Sequence, residues 1–175
     1  MQNDSKQKHV ALVGLMGSGK SSVGRAVAGL MRRPFVDTDE EVESMVGCKI
    51  KDIFARDGEA AFREIEEKVV SDVVDSEAQV IATGGGVVLS PSNRQSLWSY
   101  SVVFYLRAGA QCLIERIGKD SNRPLLHVTC PQDKLEKLLQ ERGSLYEQAH
   151  VIIDVQKLSI DAIAEKIIRE FRARA

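Results

Sequence analysis

Surplus charge of either sign is missing: 24 Lys and Arg stand against 25 Asp and Glu. No basic field exists to draw in nucleic acid, so a small substrate is expected. Cysteine is scarce, and Cys48, Cys112 and Cys130 form no C-x-x-C pair, which argues against a disulfide framework or a thiolate zinc site. Reduced structural thiols are expected instead. No apolar run approaches the ~20 residues of a membrane span, and the opening MQNDSKQKH lacks the apolar stretch of a signal peptide. A cytoplasmic location away from membranes is expected, with residues 1–8 as a loose tail. Repeats, low-complexity tracts and linker-like shifts are absent too, so residues 1–175 read as one domain with its core over 9–173.

What is present alternates. The runs HVALVG, QVIATGGG, SVVFYL and HVIIDV lack polar alternation, as parallel strands covered on both faces should. FVDTD is a weaker fifth candidate. Between them Ile65, Val69 and Val73 recur at helical spacing, and Ile160, Ile163, Ala164, Ile167 and Phe171 mark one face of a final helix. Ser90-Pro91 reads as an N-cap followed by proline at the first helical position. Such alternation predicts right-handed crossovers, a parallel sheet, and ligands bound beyond the carboxyl ends of the strands. The one long polar connection, GKDSNRPLLHVTCP at 118–131, is expected to act as a mobile lid.

GLMGSGKS at residues 14–21 fits G-x-x-x-x-G-K-[ST] between a strand pattern and a helix pattern, the context this phosphate loop requires. Gly14, Gly17 and Gly19 let successive N–H groups turn inward, and the following helix adds the positive end of its dipole. Lys20 is placed for the β and γ phosphates, and the Ser21 hydroxyl for Mg²⁺.

Two absences narrow the class. Without D-x-x-G and N-K-x-D elements in usable positions, the chain is not read as a GTPase switch. The apolar strand QVIAT ends in Gly84, Gly85 and Gly86 rather than in an acidic residue, so the metal-side carboxylate must come from elsewhere. FVDTDEE supplies it: Asp37 and Asp39 lie just past the weak second strand, on the same rim as the phosphate loop. Asp37 then suits the hydrated Mg²⁺, and Asp39 an acceptor hydroxyl, as general base or orienting acceptor. A plainer role for DTDEE, charging a helix N-terminus, stays open beside it. Arg63 and Glu66 lie three apart on one helix, so Glu66 can hold the guanidinium. Three glycines after a strand allow bare backbone to approach a ligand. Arg142 falls in a leucine-spaced helix and Arg123 in the expected lid. His9, His127 and His150 are scattered and expected to be structural or solvated.

Taken in order, the phosphate loop, DTD, IFARDGEAAFREIE, TGGGVV, NRPLL and RGSLYEQA resemble the shikimate kinase family over most of the chain. The resemblance implies an α/β P-loop fold like that of nucleoside monophosphate kinases, a five-stranded parallel sheet in order 2-3-1-4-5 flanked by helices. It implies ATP-dependent, Mg²⁺-requiring phosphorylation of the 3-hydroxyl of shikimate, on the route to chorismate and aromatic amino acids, by a monomer. Carried over residue by residue, Gly17, Ser18, Gly19, Lys20, Ser21 and Ser22 would bind ATP phosphates. Arg116 would pack on adenine, with Gln156 in the loop bordering the base. Ser21 and Asp37 would serve the metal. Asp39, Lys20 and Arg123 would be catalytic, Arg123 also touching ATP from the lid. Within and beyond a shikimate-binding region at 37–66, Asp39, Phe54, Arg63, Gly84, Gly85, Gly86 and Arg142 would hold the acceptor, with Phe62 walling the pocket beside Phe54. The competing readings are gluconate kinase, which shares the loop but not TGGG with this arginine set, a nucleoside monophosphate kinase, and a regulatory homologue that binds nucleotide without turnover.

Overall fold

The computed structural model describes residues 8–117 and 130–174. The expected lid, with Arg123 and His127, therefore lies outside the described residues apart from its last two positions. Each apolar run forms a strand: β1 His9–Val13, β2 Phe35–Asp37, β3 Val80–Ala82, β4 Ser101–Arg107 and β5 Val151–Asp154. They make one parallel sheet in the order β2-β3-β1-β4-β5, as the resemblance implied. Among the described residues seven α-helices flank it: α1 Lys20–Met31, α2 Thr38–Val46, α3 Ile50–Val74, α4 Pro91–Tyr100, α5 Ala110–Ile117, α6 Pro131–Tyr146 and α7 Ile160–Arg172.

The missing polar alternation has the physical cause expected of it. All five residues of central β1 are buried, because successive side chains point into different layers. Val10 and Leu12 join a core with Val23 and Val27 of α1, Leu113 of α5 and Ile163 and Ile167 of α7. Ala11 and Val13 join the opposite core with Val69 and Val73 of α3, Leu97 of α4 and Tyr146 of α6. The edge strands are less covered: β2 is half-buried, and Ile152 and Asp154 of β5 are exposed. Ile160 departs from the expected apolar face of α7. It is 46% exposed because it sits in the first turn of the helix, on the rim of the cleft described below.

Local signals behave as their chemistry dictates. Ser90 caps α4, its Oγ accepting from the Asn93 N–H at 3.2 Å, with Pro91 opening the helix. Gly58, at φ 84° and ψ 176°, breaks the helical geometry inside α3, a conformation in which a Cβ would be strained. FVDTD does not stay extended. The strand ends at Asp37, whose Oδ1 accepts from the Asp39 N–H at 3.1 Å and so caps α2. Asp39 therefore lies in the first helical turn, with Glu40 and Glu41 beside it; in a strand that continued, residues two apart would share one face, so it is the strand-to-helix turn that gives Asp37 and Asp39 different directions. Charging the helix N-terminus and facing the cleft turn out to be compatible.

Sheet register then sets the site. Leu12 of β1 and Asp37 of β2 both pair with Ala82 of β3, so the phosphate loop, DTD and the three glycines all leave the sheet at one rim. The three cysteines are free thiols. Among the described residues, no helix is long and apolar enough to cross a membrane.

His150 carries a pH-dependent part of the fold. Its Nδ1 accepts from the Val103 N–H at 2.9 Å, which only the neutral ring can do. Burial first, then the nearby positive charges of Lys8 and Arg174, lower its pKa from 6.5. On acidification the unfolded chain takes up this proton before the folded one, so stability is lost as pH falls from the unfolded value toward the lower folded one. The urea midpoint is expected to drop below about pH 6.5, and the drop to shrink in His150→Gln. An undiminished drop in that variant would assign the effect to other groups.

Candidate active site

The phosphate loop is a backbone cradle. Gly17 and Gly19 have φ of 80° and 93°, values that L side chains rarely adopt. Gly19 stands at the N-cap of α1 and no side chain caps that helix, leaving its first N–H groups available to an anion. Lys20 is buried, with Nζ donating to the carbonyls of Gly14 at 2.8 Å and Leu15 at 3.1 Å. Ser18 Oγ is buried without a hydrogen-bond partner among the described residues, and Ser22 is exposed.

On the β2 side, Ser21 Oγ donates to Asp37 Oδ2 at 2.6 Å. Among the described residues, no group of three or more His, Cys, Asp and Glu is placed to hold a metal. One hydroxyl and one carboxylate form the sparse oxygen set that suits Mg²⁺, whose shell is otherwise completed by phosphate and water.

Arg116, in the last turn of α5, spans the nucleotide end. It donates to the Ser18 carbonyl at 3.2 Å and the Val155 carbonyl at 2.7 Å, linking the phosphate loop to the β5–α7 connection. Leu158 and Ser159 of that connection line the cleft. Gln156 is not among its lining residues: its side-chain amide packs instead toward Gly109.

The opposite end is built on the three glycines. A Cβ on Gly84 would sit 2.5 Å from Asp39 Oδ1, and one on Gly86 would sit 2.6 Å from Arg63 Nη1. Side chains from α2 and α3 thus press on bare backbone, which explains three glycines where a turn alone needs fewer. Arg63 donates to Glu66 at 2.8 Å, the pairing its three-residue spacing predicts, and to Glu59 at 3.0 Å. Its guanidinium also lies 5.1 Å from the Phe62 ring centroid. Phe62 packs on Phe54 at 4.8 Å between centroids, Phe54 remaining 38% exposed. From α6, Arg142 Nη1 donates to the Gly85 carbonyl at 3.1 Å, while its Nε is buried with no partner among the described residues. Asp37, Asp39, Gly85, Arg116 and Arg142 share with the phosphate loop one cleft of about 1060 Å³.

Electrostatics follow from burial. Burial raises the Asp39 pKa and Asp37 adds to the rise, against Lys20 and Arg63. Glu66, only 1% exposed, is also raised by burial despite its pairing with Arg63. Burial alone would lower Arg63, but its hydrogen bonds and charge pairing with Glu66 and Glu59 raise it. The guanidinium therefore stays charged, held by two carboxylates.

Sequence reasoning did not single out Glu59, Thr38 or Tyr146. Glu59 had a signal, four residues before Arg63 on one helix face. So did Tyr146, four residues after Arg142. Thr38, whose Oγ1 accepts from the Gly84 N–H at 3.2 Å, had none, since its partner is distant in the chain.

A polyphosphate cradle beside a guanidinium-lined pocket, on a 2-3-1-4-5 parallel sheet, defines a P-loop kinase of small molecules. Comparison with known proteins makes the class particular. The shikimate kinase family model matches residues 16–172. A shikimate kinase of Thermodesulfovibrio yellowstonii is 44% identical over 164 residues, covering 94% of this chain and 95% of that one. The structure of a shikimate kinase from Acinetobacter baumannii in complex with shikimate superposes with a TM-score of 0.90 at 38% identity, covering 95% and 93% of the two chains. A gluconokinase from Sinorhizobium meliloti, at 21% identity and a TM-score of 0.56 over 96% and 93% of the two chains, shares the fold. The chain belongs to the shikimate kinase family.

The close packing on Gly86 is testable. Its φ of −98° and ψ of −1° suit alanine, so Gly86→Ala should fold, with a Tm lowered where Arg63 is pushed from the buried Glu66 carboxylate. The new methyl displaces the Arg63 guanidinium, and the acceptor KM should rise about tenfold, as for loss of one charged hydrogen bond. An unchanged acceptor KM would show that Arg63 does not need this seat.

Proposed function

We propose that this protein transfers the terminal phosphoryl group of ATP to the 3-hydroxyl of shikimate, giving shikimate 3-phosphate and ADP. The observation that carries the reading is the seating of Asp39, Arg63 and Arg142 around the bare backbone of residues 84–86, in register with an intact phosphate loop. Two forked guanidiniums suit a planar carboxylate, which shikimate carries and gluconate shares. The glycine backbone between them suits close approach of a ring with hydroxyls.

ATP phosphates would occupy the residue 14–21 loop, exchanging the Gly14 and Leu15 carbonyls around Lys20 for phosphate oxygens. Arg116 would hold the nucleotide at its base end, with Gln156 retained there on the resemblance alone. Ser21 and Asp37 would hold Mg²⁺, which when bound neutralises charge on the phosphates. Asp39 would accept the proton of the attacking hydroxyl. Its raised pKa makes it a better base than an ordinary carboxylate. Because phosphoryl transfer is loose, its larger contribution would be to orient the hydroxyl in line. Arg63 and Arg142 would clamp the carboxylate, and the Phe54 and Phe62 rings would wall the pocket. Arg123 keeps its proposed charge-neutralising role from the sequence only. A monomer is carried over from the resemblance, and the free thiols accord with work in the cytoplasm.

ADP release from Mg-ATP with shikimate, gluconate, AMP or no acceptor tests the reading, and only the shikimate reaction is expected to turn over. Turnover with another acceptor alone would overturn it. Asp39→Asn is expected to lower kcat by a factor on the order of 10² or more with ATP KM unchanged. Arg142→Ala is expected to weaken shikimate binding by about 2 to 5 kcal/mol, the cost of leaving a desolvated charge unpaired. Inhibition of ATP binding by either substitution would move that residue to the nucleotide site.

A further inference from the structure

Resting on this reading, we propose that Thr38 and Tyr146 are positioning residues whose hydroxyls hold the backbone of residues 84–86 in the orientation that brings Asp39 and Arg142 to bear on the acceptor. Glycine backbone is the most freely rotating in the chain. A segment of three has no side chains with which to anchor itself, and the fold must hold it by its peptide groups.

It is held from both sides. Thr38 is 0% exposed, and its Oγ1 accepts from the Gly84 N–H at 3.2 Å. Thr38 immediately precedes Asp39 in the first turn of α2, so this bond ties the helix that carries Asp39 to the glycine against which Asp39 packs. On the other side the Tyr146 hydroxyl donates to the Gly85 carbonyl, the same oxygen that accepts from Arg142. Arg142 and Tyr146 lie four apart on α6 and share a face. A carbonyl oxygen has two lone pairs, and here both are engaged by one helix. Since the peptide unit is planar and trans, pinning the Gly85 carbonyl also sets the direction of the Gly86 N–H, beside Arg63.

The Tyr146 side is built to stay put. The residue is fully buried, and its ring stacks on Tyr105 with centroids 5.0 Å apart and planes 19° from parallel. Burial pushes its hydroxyl up to about 12, so it remains a protonated donor throughout the neutral range. Neither hydroxyl touches a reacting atom in this assignment. Each acts through the glycine backbone.

Steady-state kinetics of Tyr146→Phe, Thr38→Val and Thr38→Ser, beside wild type and with shikimate and Mg-ATP varied separately, test the proposal. Tyr146→Phe keeps the stacked ring and removes only the donor. Its shikimate KM is expected to rise about 5- to 30-fold, as for loss of one buried hydrogen bond, with ATP KM changed by less than about twofold. Thr38→Val is expected to show the same split, and Thr38→Ser, which restores the acceptor, to recover most of the loss. Shikimate and ATP KM moving together, or a lowered Tm with wild-type kinetics, would reduce both hydroxyls to general packing and overturn the proposal. If Tyr146→Phe does not fold, the Thr38→Val and Thr38→Ser pair decides by the same split. A wild type that ignores shikimate overturns the functional reading and this one with it. An active wild type with unchanged variants overturns this one alone.

Discussion

The end of the site opposite Arg116 depends on side chains pressing against backbone that has none. Residues 84–86 leave β3 where the sheet ends, and Asp39 and Arg63 occupy the space that Cβ atoms would fill. Arg142 and Tyr146 bond the carbonyl between them. Two consecutive helices, α2 and α3, and the distant α6 are thereby referenced to one short stretch of chain. The precision this gives is geometric: a displacement of an ångström at the glycines would move Asp39, Arg63 and Arg142 relative to one another.

Charge is arranged with equal economy of motion and at a cost in stability. Asp39 and Glu66 are both raised by burial, so each carboxylate is less comfortable folded than unfolded at neutral pH. Glu66 nevertheless holds Arg63, and Asp39 faces the cleft. Ser18 Oγ, Glu66 Oε1 and Arg142 Nε, buried without partners among the described residues, border the same region. Asn93 Oδ1 and Ser101 Oγ, outside the cleft lining, are also without partners among the described residues; the three beside the cleft are groups that a polar ligand could satisfy.

Much of this is legible in the sequence. Strand order followed from the resemblance, and strand identity from apolar runs without alternation, because burial on both faces removes the need for polar positions. The phosphate loop was legible because its glycines, lysine and serine are contiguous. The pairing of Arg63 with Glu66 was legible because helix geometry makes residues three apart neighbours. DTD was only half legible: two aspartates near the rim were evident, but whether the chain stayed extended or turned into a helix at Thr38 depends on Asp37 capping its own successor. Glu59 and Tyr146 had helical spacing in their favour and were passed over, because spacing alone does not distinguish a working pair from a solvated one.

By itself the sequence determined the local pieces: which segments are strands, where a phosphate is cradled, which residues share a helix face, and, through the ordered motifs, the family. Those depend on interactions within a few residues of chain, where backbone geometry dictates the neighbours. Only the tertiary structure decided that Thr38 meets Gly84, that Arg142 and Tyr146 share the Gly85 carbonyl, that Arg116 joins Ser18 to Val155, and that Gln156 turns toward Gly109. These contacts span tens of residues. They are set by the register of β1, β2 and β3 and the packing of helices on both faces, which no local pattern encodes.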